Sequence, residues 1–299
     1  MKILSVSIVI VLVVIGIGYL TLKSTTNVFS SDLTTIDDQR SLSSKGIEKI
    51  NVSTSSSDIT IFEGAGDQIR IELSGELSHP KQVGELYVET RGDQLLIEFP
   101  KRDFKPSFSF GSVQNRTKLN VLVPEKTYET LTAHSSSGDI NVSQLNLNNL
   151  DVSSSSGDQF IKDMELTGTA TFHSSSGRIQ THTVSAEQLT VKTSSGDIEN
   201  KKVSAERSES NSSSGDVEWL DHEPDTSITV RTSSGDTDIS LLDDPLSTEV
   251  SFSSSSGEAS ISQEAFTYEE ISDHRVKGSV GDGEAHIDVT SSSGDFNLR

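Results

Sequence analysis

Eight glycines, Gly138, Gly157, Gly177, Gly196, Gly215, Gly235, Gly257 and Gly294, are each preceded by serine, and six of them are followed by aspartate. Arg178 and Glu258 fill the other two places. If the copies stack, Asp139, Asp158, Asp197, Asp216 and Asp236 fall in one column of hard oxygen donors. Two readings follow. The aspartates serve turn chemistry and stay hydrated, or they form a weak site for Ca²⁺, although one column supplies no converging set of oxygens. A second acidic group, Asp282, Glu284 and Asp288 with His286, alternates with Ala285, Ile287 and Val289. Such spacing describes the polar outer face of a strand, with a metal site as the alternative. No other cofactor is implied. Two positions before each glycine stands another serine, among them Ser136, Ser155, Ser175 and Ser194. These are candidates for a regular hydroxyl surface that binds a partner.

Catalytic chemistry finds little support. With this many serines, a Ser-His-Asp set by chance carries no weight. The chain has no Gly-x-Ser-x-Gly elbow, His-Glu-x-x-His pair or phosphate-binding glycine loop. The absence of cysteine removes thiolate metal sites, disulfides and cysteine nucleophiles. A pectinase-like polysaccharide enzyme is the remaining catalytic class, and aromatics at 5% with few basic residues argue against its sugar platforms. Arg91-Gly92-Asp93 spells an integrin-recognition tripeptide, but a Gly-Asp turn between Val88 and Leu95 accounts for it.

The elements that must position these residues are strands. The marker glycines are spaced by 19, 20, 19, 19, 20, 22 and 37 residues, the last interval being long enough to hide a degenerate copy. Seven and five positions before the glycine stand apolar pairs such as Leu131 and Ala133, or Leu189 and Val191, broken only by Ser208 and Ser210. Two and four positions after it come Ile140 and Val142, Ile179, Ile198 and Ile239. A third apolar column follows, with Leu145 and Leu147, Met164 and Leu166. Coils stacked one per repeat explain this best, so the expected fold is all-β, a single-stranded β-solenoid of about 19–20-residue coils. In that geometry the serines or threonines one and three positions before the glycine point inward as hydroxyl ladders, and the glycine supplies a positive φ at the corner. A Ser-Gly-Asp hairpin turn in a meander or propeller is the alternative. A blade needs about 40 residues with its own signature, and Trp219 is the one tryptophan.

Four segments are expected. Residues 1–23 hold an uncharged run from Ile3 to Leu22 between Lys2 and Lys23. At about 1.5 Å per residue it matches a membrane core of about 30 Å. It is longer than a signal-peptide core and lacks a clear cleavage site, so it reads as an uncleaved N-terminal transmembrane helix. The expected topology is single-pass, with the N-terminus cytoplasmic and the bulk extracytoplasmic. Residues 24–46 read as a polar stalk. Residues 47–130 alternate apolar and polar residues as strands, with Ser55-Ser56-Ser57-Asp58 as a first copy lacking glycine. Within them, 101–114 breaks the rhythm as a loop or cap bearing Phe104, Phe108 and Phe110. Residues 131–299 form the repeat body. The formal charge of −21 (24 basic against 45 acidic residues) argues against a nucleic-acid partner, which requires a basic stripe.

Ile50 to Val52 with Ser55-Ser56-Ser57-Asp58-Ile59, the strand Leu119-x-Val121-x-Val123-Pro124, the Ser-Ser-Gly-Asp-Ile coils, and Gly281-Asp282-Gly283 leading to Ser293-Gly294-Asp295-Phe296 resemble a bacterial adhesin-like domain of unknown function. With the N-terminal anchor, the chain resembles LiaG-type membrane proteins of Bacillus and its relatives, encoded near envelope-stress signalling systems. The resemblance implies a Ser-Gly-Asp repeat β-solenoid over nearly everything after residue 46. It implies no catalytic residues. The function expected is a non-catalytic binding or scaffolding protein at the cell envelope, with wall glycan or envelope proteins as partners. An accessory regulator of an envelope-stress system is the alternative.

Overall fold

The structure is a computed structural model, and it describes residues 33–78, 85–99, 115–224, 226–263 and 266–299. The expected transmembrane helix and the phenylalanine-bearing segment 101–114 lie outside these residues. The described residues form 23 strands and no helix, and none of them makes a helix long and apolar enough to cross a membrane.

The expected stalk does not hold in its second half. Leu33–Ser43 is a strand, β1, antiparallel to β4 (Gln68–Ser78) along its whole length. Its polar side chains alternate between exposed and half-buried positions, so it has backbone pairing without the apolar stripe that reveals a strand in sequence. Between them run β2 (Lys49–Thr54) and β3 (Asp58–Gly64), whose inward Val52, Ile59 and Ile61 are fully buried. Beyond β4 follow β5 (Tyr87–Arg91), β6 (Gln94–Phe99) and β7 (Asn115–Pro124).

From β8 (Thr127–Ser135) onward the repeat takes over. Each coil has one strand before the glycine corner and one after it. The first faces are β8, β10 (Asn146–Ser154) and β12 (Thr169–Ser174); the second are β9 (Ile140–Ser143) and β11 (Gln159–Leu166). In β13 (Ile179–Thr193) and β14 (Ile198–Ser212) the strand runs through from one coil into the next. The run closes with β15 (Val217–His222), β16 (Ser227–Arg231) and β17 (Thr237–Leu241). Pairing is parallel at one-repeat offsets: Leu131 beside Leu150, Leu150 beside Ala170, Ala170 beside Leu189, Leu189 beside Ser208. Stacked levels therefore lie about 4.8 Å apart. The apolar columns fill the interior, with Val152, Phe172, Val191, Ile179 and Ile198 at 0% exposure.

Buried Ser210 breaks the apolar column because it belongs to a polar line: Asn200 Nδ2 donates to Ser210 Oγ at 3.1 Å, and Thr181 Oγ1 donates to Asn200 Oδ1 at 2.8 Å.

The stack is not sequential at its ends. β8 lies on β2, and β2 on β6, while β9 lies on β3 and β3 on β7. The first coil is thus covered by β6 and β7. At the other end β18 (Thr248–Ser253) and β19 (Ala259–Ile261) are followed by β20 (Thr267–Ser272), β21 (Arg275–Val280), β22 (Ala285–Thr290) and β23 (Phe296–Leu298). The last coil, β22 and β23, inserts between β16–β17 and β18–β19, pairing in parallel with both. Among the described residues, the 37-residue interval holds no hidden coil. It holds the antiparallel pair β20 and β21, with β21 antiparallel to β18. Antiparallel strands cover the N-terminal end too, β5 on β6 and β4 on β7.

Candidate functional site

The corner of the repeat is where the exposed polar residues concentrate, and its local chemistry differs from the expectation in two respects. The repeat glycines do not have positive φ. The left-handed residues lie six positions later, at Gln144, Asp163, Thr183, Lys202 and Asp221. Glycine is required by close approach instead. A Cβ on Gly157 would stand 2.0 Å from the carbonyl oxygen of Gly138, and one on Gly196 would stand 2.0 Å from that of Gly177. The ladder continues through Gly215 and Gly235, then to Gly294 and last to Gly257, the same inserted order as the strands. In the first copy Ser57 stands where later copies have glycine, and its Oγ meets Thr117 Oγ1 at 2.5 Å.

The second difference concerns the serines. The residue three positions before the glycine is buried in every copy except that of half-buried Ser254, and its hydroxyl typically accepts the glycine N–H of its own coil: Ser135 from Gly138 at 2.9 Å, Ser154 from Gly157 at 2.8 Å, Ser174 from Gly177 at 2.8 Å. The anticipated axial hydroxyl ladder is confined to a few contacts such as Thr54 to Ser135 at 3.2 Å. The serine immediately before the glycine is exposed, not inward, because strand alternation breaks at the corner and two consecutive residues face water. Ser136, Ser155, Ser175 and Ser194 are exposed, and Ser137, Ser156, Ser176 and Ser195 stand exposed beside them. Their backbone is held rigidly: Ser156 N–H donates to the Ser136 carbonyl at 3.1 Å, Ser195 to Ser175 at 3.0 Å, Ser214 to Ser194 at 3.1 Å. The same ladder reaches Ser293 on Ser233 and Ser256 on Ser292. From Ser136-Ser137 to Ser255-Ser256, eight levels present two exposed serines each, and the first copy adds an exposed Ser56 beside a half-buried Ser55.

Beside the serines runs the acidic column. Asp139 Oδ1 accepts the N–H of Asp158 at 2.9 Å, Asp158 Oδ1 that of Arg178 at 2.8 Å, and Asp197 Oδ1 that of Asp216 at 3.2 Å. Asp216 accepts from Asp236 at 2.9 Å, Asp236 from Asp295 at 2.8 Å, and Asp295 from Glu258 at 2.8 Å. One oxygen of each carboxylate is thus committed to the next coil, which is a turn role. Arg178 pairs with Asp197 at 3.0 Å and relieves repulsion at mid-column. On the neighbouring face burial raises the Glu218 pKa, with Glu199, Asp238 and Asp216 adding to the rise and Arg178 opposing it.

Asp282, Glu284 and Asp288 do not form one strand face. Asp282 and Glu284 lie in the turn before β22, where Gly281 and Gly283 have φ of 60° and 68°. Asp288 accepts from Ser251 Oγ at 2.5 Å. The carboxylates that do converge among the described residues are Glu48, Asp93 and Glu129, from segments no sequence motif connects. Lys49 sits among them, 3.2 Å from Asp93 and 3.2 Å from Glu129, and these hydrogen bonds, Glu129 first, raise its pKa. Asp93 of the Arg-Gly-Asp sequence therefore serves a hairpin turn and an ion pair that ties adjacent levels. A shallow groove on β1 and β4, lined by Asp37, Glu72 and Glu76, lies apart from the serine surface.

A comparison with curated proteins found no match. Among solved structures, the chain is similar to a candidate adhesin of Bacteroides fragilis at 13% identity and a TM-score of 0.49, covering 90% of this chain and 98% of that one. A candidate adhesin of Parabacteroides distasonis is similar at 14% identity and a TM-score of 0.49, with coverage of 89% and 97%. A candidate lipid-binding protein of the same species is similar at 16% identity and a TM-score of 0.41, with coverage of 88% and 97%. Residues 47–299 match the family model described as Toastrack DUF4097, and the chain belongs to that family.

Proposed function

We propose that this protein is a membrane-anchored, extracytoplasmic scaffold of the bacterial cell envelope that binds wall glycan or envelope proteins without catalysis. The observation that carries the reading is the paired serine column, exposed over eight levels on a backbone locked by inter-coil hydrogen bonds. A rigid array of this kind binds multivalently: each hydroxyl contributes little, and the array gains by making many contacts at once. The carboxylate edge repels other polyanions and favours neutral or cationic partners. The names of the similar structures, adhesins among them, agree with a binding role.

The test is co-sedimentation of the protein with purified wall. Replacing Ser136, Ser155, Ser175 and Ser194 together with alanine is expected to weaken binding by at least about tenfold, and any one alone by about twofold. Unchanged binding by the fourfold variant would overturn the reading, and sustained release of wall fragments would replace it with an enzyme. The uncharged run Ile3 to Leu22 favours a second reading, a regulator acting through its anchor. Exchanging that segment for an unrelated anchor separates the two, since a scaffold keeps its function and a helix-based regulator loses it.

A further inference from the structure

We propose that the C-terminal coil, residues 285–299, is exchangeable, and that the slot it fills between β16–β17 and β18–β19 accepts the same coil from a second copy of this chain. The two walls of the slot belong to coils that follow one another in sequence, yet a later segment separates them. Ile287 pairs with Ile228 on one side and Val250 on the other, and Phe296 pairs with Thr237 and Ala259. Both walls therefore carry the repeat's own column register, and the 22-residue interval from Gly235 to Gly257 supplies the extra length that steps over one level.

What the slot accepts is narrowly defined. A Cβ on Gly294 would lie 1.9 Å from the Gly235 carbonyl oxygen, and one on Gly257 would lie 1.9 Å from that of Gly294, so only glycine fits at the corner. Asp295 donates its N–H to Asp236 and accepts from Glu258, both at 2.8 Å. Phe296 stacks on Phe252 with ring centroids 5.5 Å apart. The chain ends in further bonds to both walls, Leu241 N–H to the Arg299 carbonyl at 2.7 Å and Ser262 N–H to that of Leu298 at 2.8 Å. Each contact is equally available to a coil from either copy.

The connection to the rest of the chain is short. Thr248 pairs with Val280 of β21 on one edge of β18 and with Ala285 of β22 on the other. Residues 281–284 alone must pass around the start of β18. Both glycines there adopt positive φ, and a Cβ on Gly281 would stand 2.1 Å from the Leu246 carbonyl oxygen. A short, tightly turned connector that would otherwise extend is the condition that invites exchange of the element beyond it.

The chain lacks cysteine, so single substitutions report exchange cleanly. Full-length Thr229→Cys and Asp288→Cys proteins, whose positions pair across the slot, are unfolded together in detergent solution, refolded and oxidised. Exchange gives a disulfide-linked heterodimer of about twice the chain mass. The control mixes Thr132→Cys with Asp151→Cys, a pair of the same parallel geometry between sequential coils. A heterodimer yield at least about fivefold above the control supports exchange. A yield equal to the control overturns it, because random collision then accounts for all cross-linking.

Discussion

At the scale of single residues, the corner glycine contributes by what it lacks. Gly196→Ala places a methyl carbon 2.0 Å from a backbone oxygen that its own ladder holds in place. A loss of about 3 kcal/mol or more in urea unfolding is expected. Six residues on, the left-handed corner is filled by non-glycine residues, and Thr183, at φ 56°, is the β-branched one. Thr183→Asn suits that conformation better and should stabilise by about 0.5–1 kcal/mol. A loss instead would mean that the 3.1 Å contact between Thr183 Oγ1 and His182 Nδ1 outweighs the strain. His222 gives the chain an acid-sensitive point. Burial lowers its pKa from 6.5 to about 4, against a smaller opposing effect of the hydrogen bond to the Thr226 carbonyl. Its Nδ1 and the neighbouring Trp219 Nε1 are buried without a protein partner. Because the unfolded chain binds the proton more tightly, stability is fully present above pH 6.5 and falls as the pH drops through 4, by on the order of 3 kcal/mol in all. His222→Phe should flatten that limb of a stability-against-pH curve, and an unchanged slope would place the sensitivity elsewhere.

At the scale of elements, parallel stacking turns one residue's choice into its neighbour's environment. Thr181, Asn200 and Ser210 show this: Thr181 on β13, with Asn200 and Ser210 on the two halves of β14, shares a buried hydrogen-bonded line where other coils place apolar side chains. Ser210→Ala alone strands the Asn200 amide and should cost about 1–3 kcal/mol. Replacing all three with valine, the residue at equivalent positions such as Val142, Val191 and Val230, should come within about 1 kcal/mol of the parent. If the triple variant is as damaged as the single one, the polar line contributes more than partner satisfaction. The antiparallel strands act at the stack ends. There the Gly257 carbonyl, the last in its ladder, lies 2.8 Å from His274 Nδ1 in the turn between β20 and β21, so the open edge is covered.

At the scale of the whole molecule, charge and connectivity dominate. A formal charge of −21, with carboxylates about 4.8 Å apart in one column, makes the folded state repel itself at low salt. Thermal unfolding should shift upward by a few degrees as NaCl rises from about 0.01 M to 0.3 M, as screening shortens from about 30 Å towards a few ångströms. A fall would show that ion pairs such as Arg178 with Asp197 outweigh the repulsion. Much of this molecule is legible in the sequence. The 19–20-residue interval and its apolar columns determine an all-β stack of coils, since only equal path lengths keep equal residues in register. The exposed serines at Ser136, Ser155, Ser175 and Ser194 follow from the same columns. The tertiary structure alone decides the rest. It brings the second serine column outward, because alternation slips at the corner where the chain turns. It assigns glycine to close approach, because only the coil beneath supplies the carbonyl that a Cβ would strike. It makes Leu33–Ser43 a strand through backbone pairing that leaves no apolar stripe. It sets the last coil inside the stack, because strands of identical pattern are interchangeable by sequence, and only connector lengths and hairpins at the ends distinguish their order.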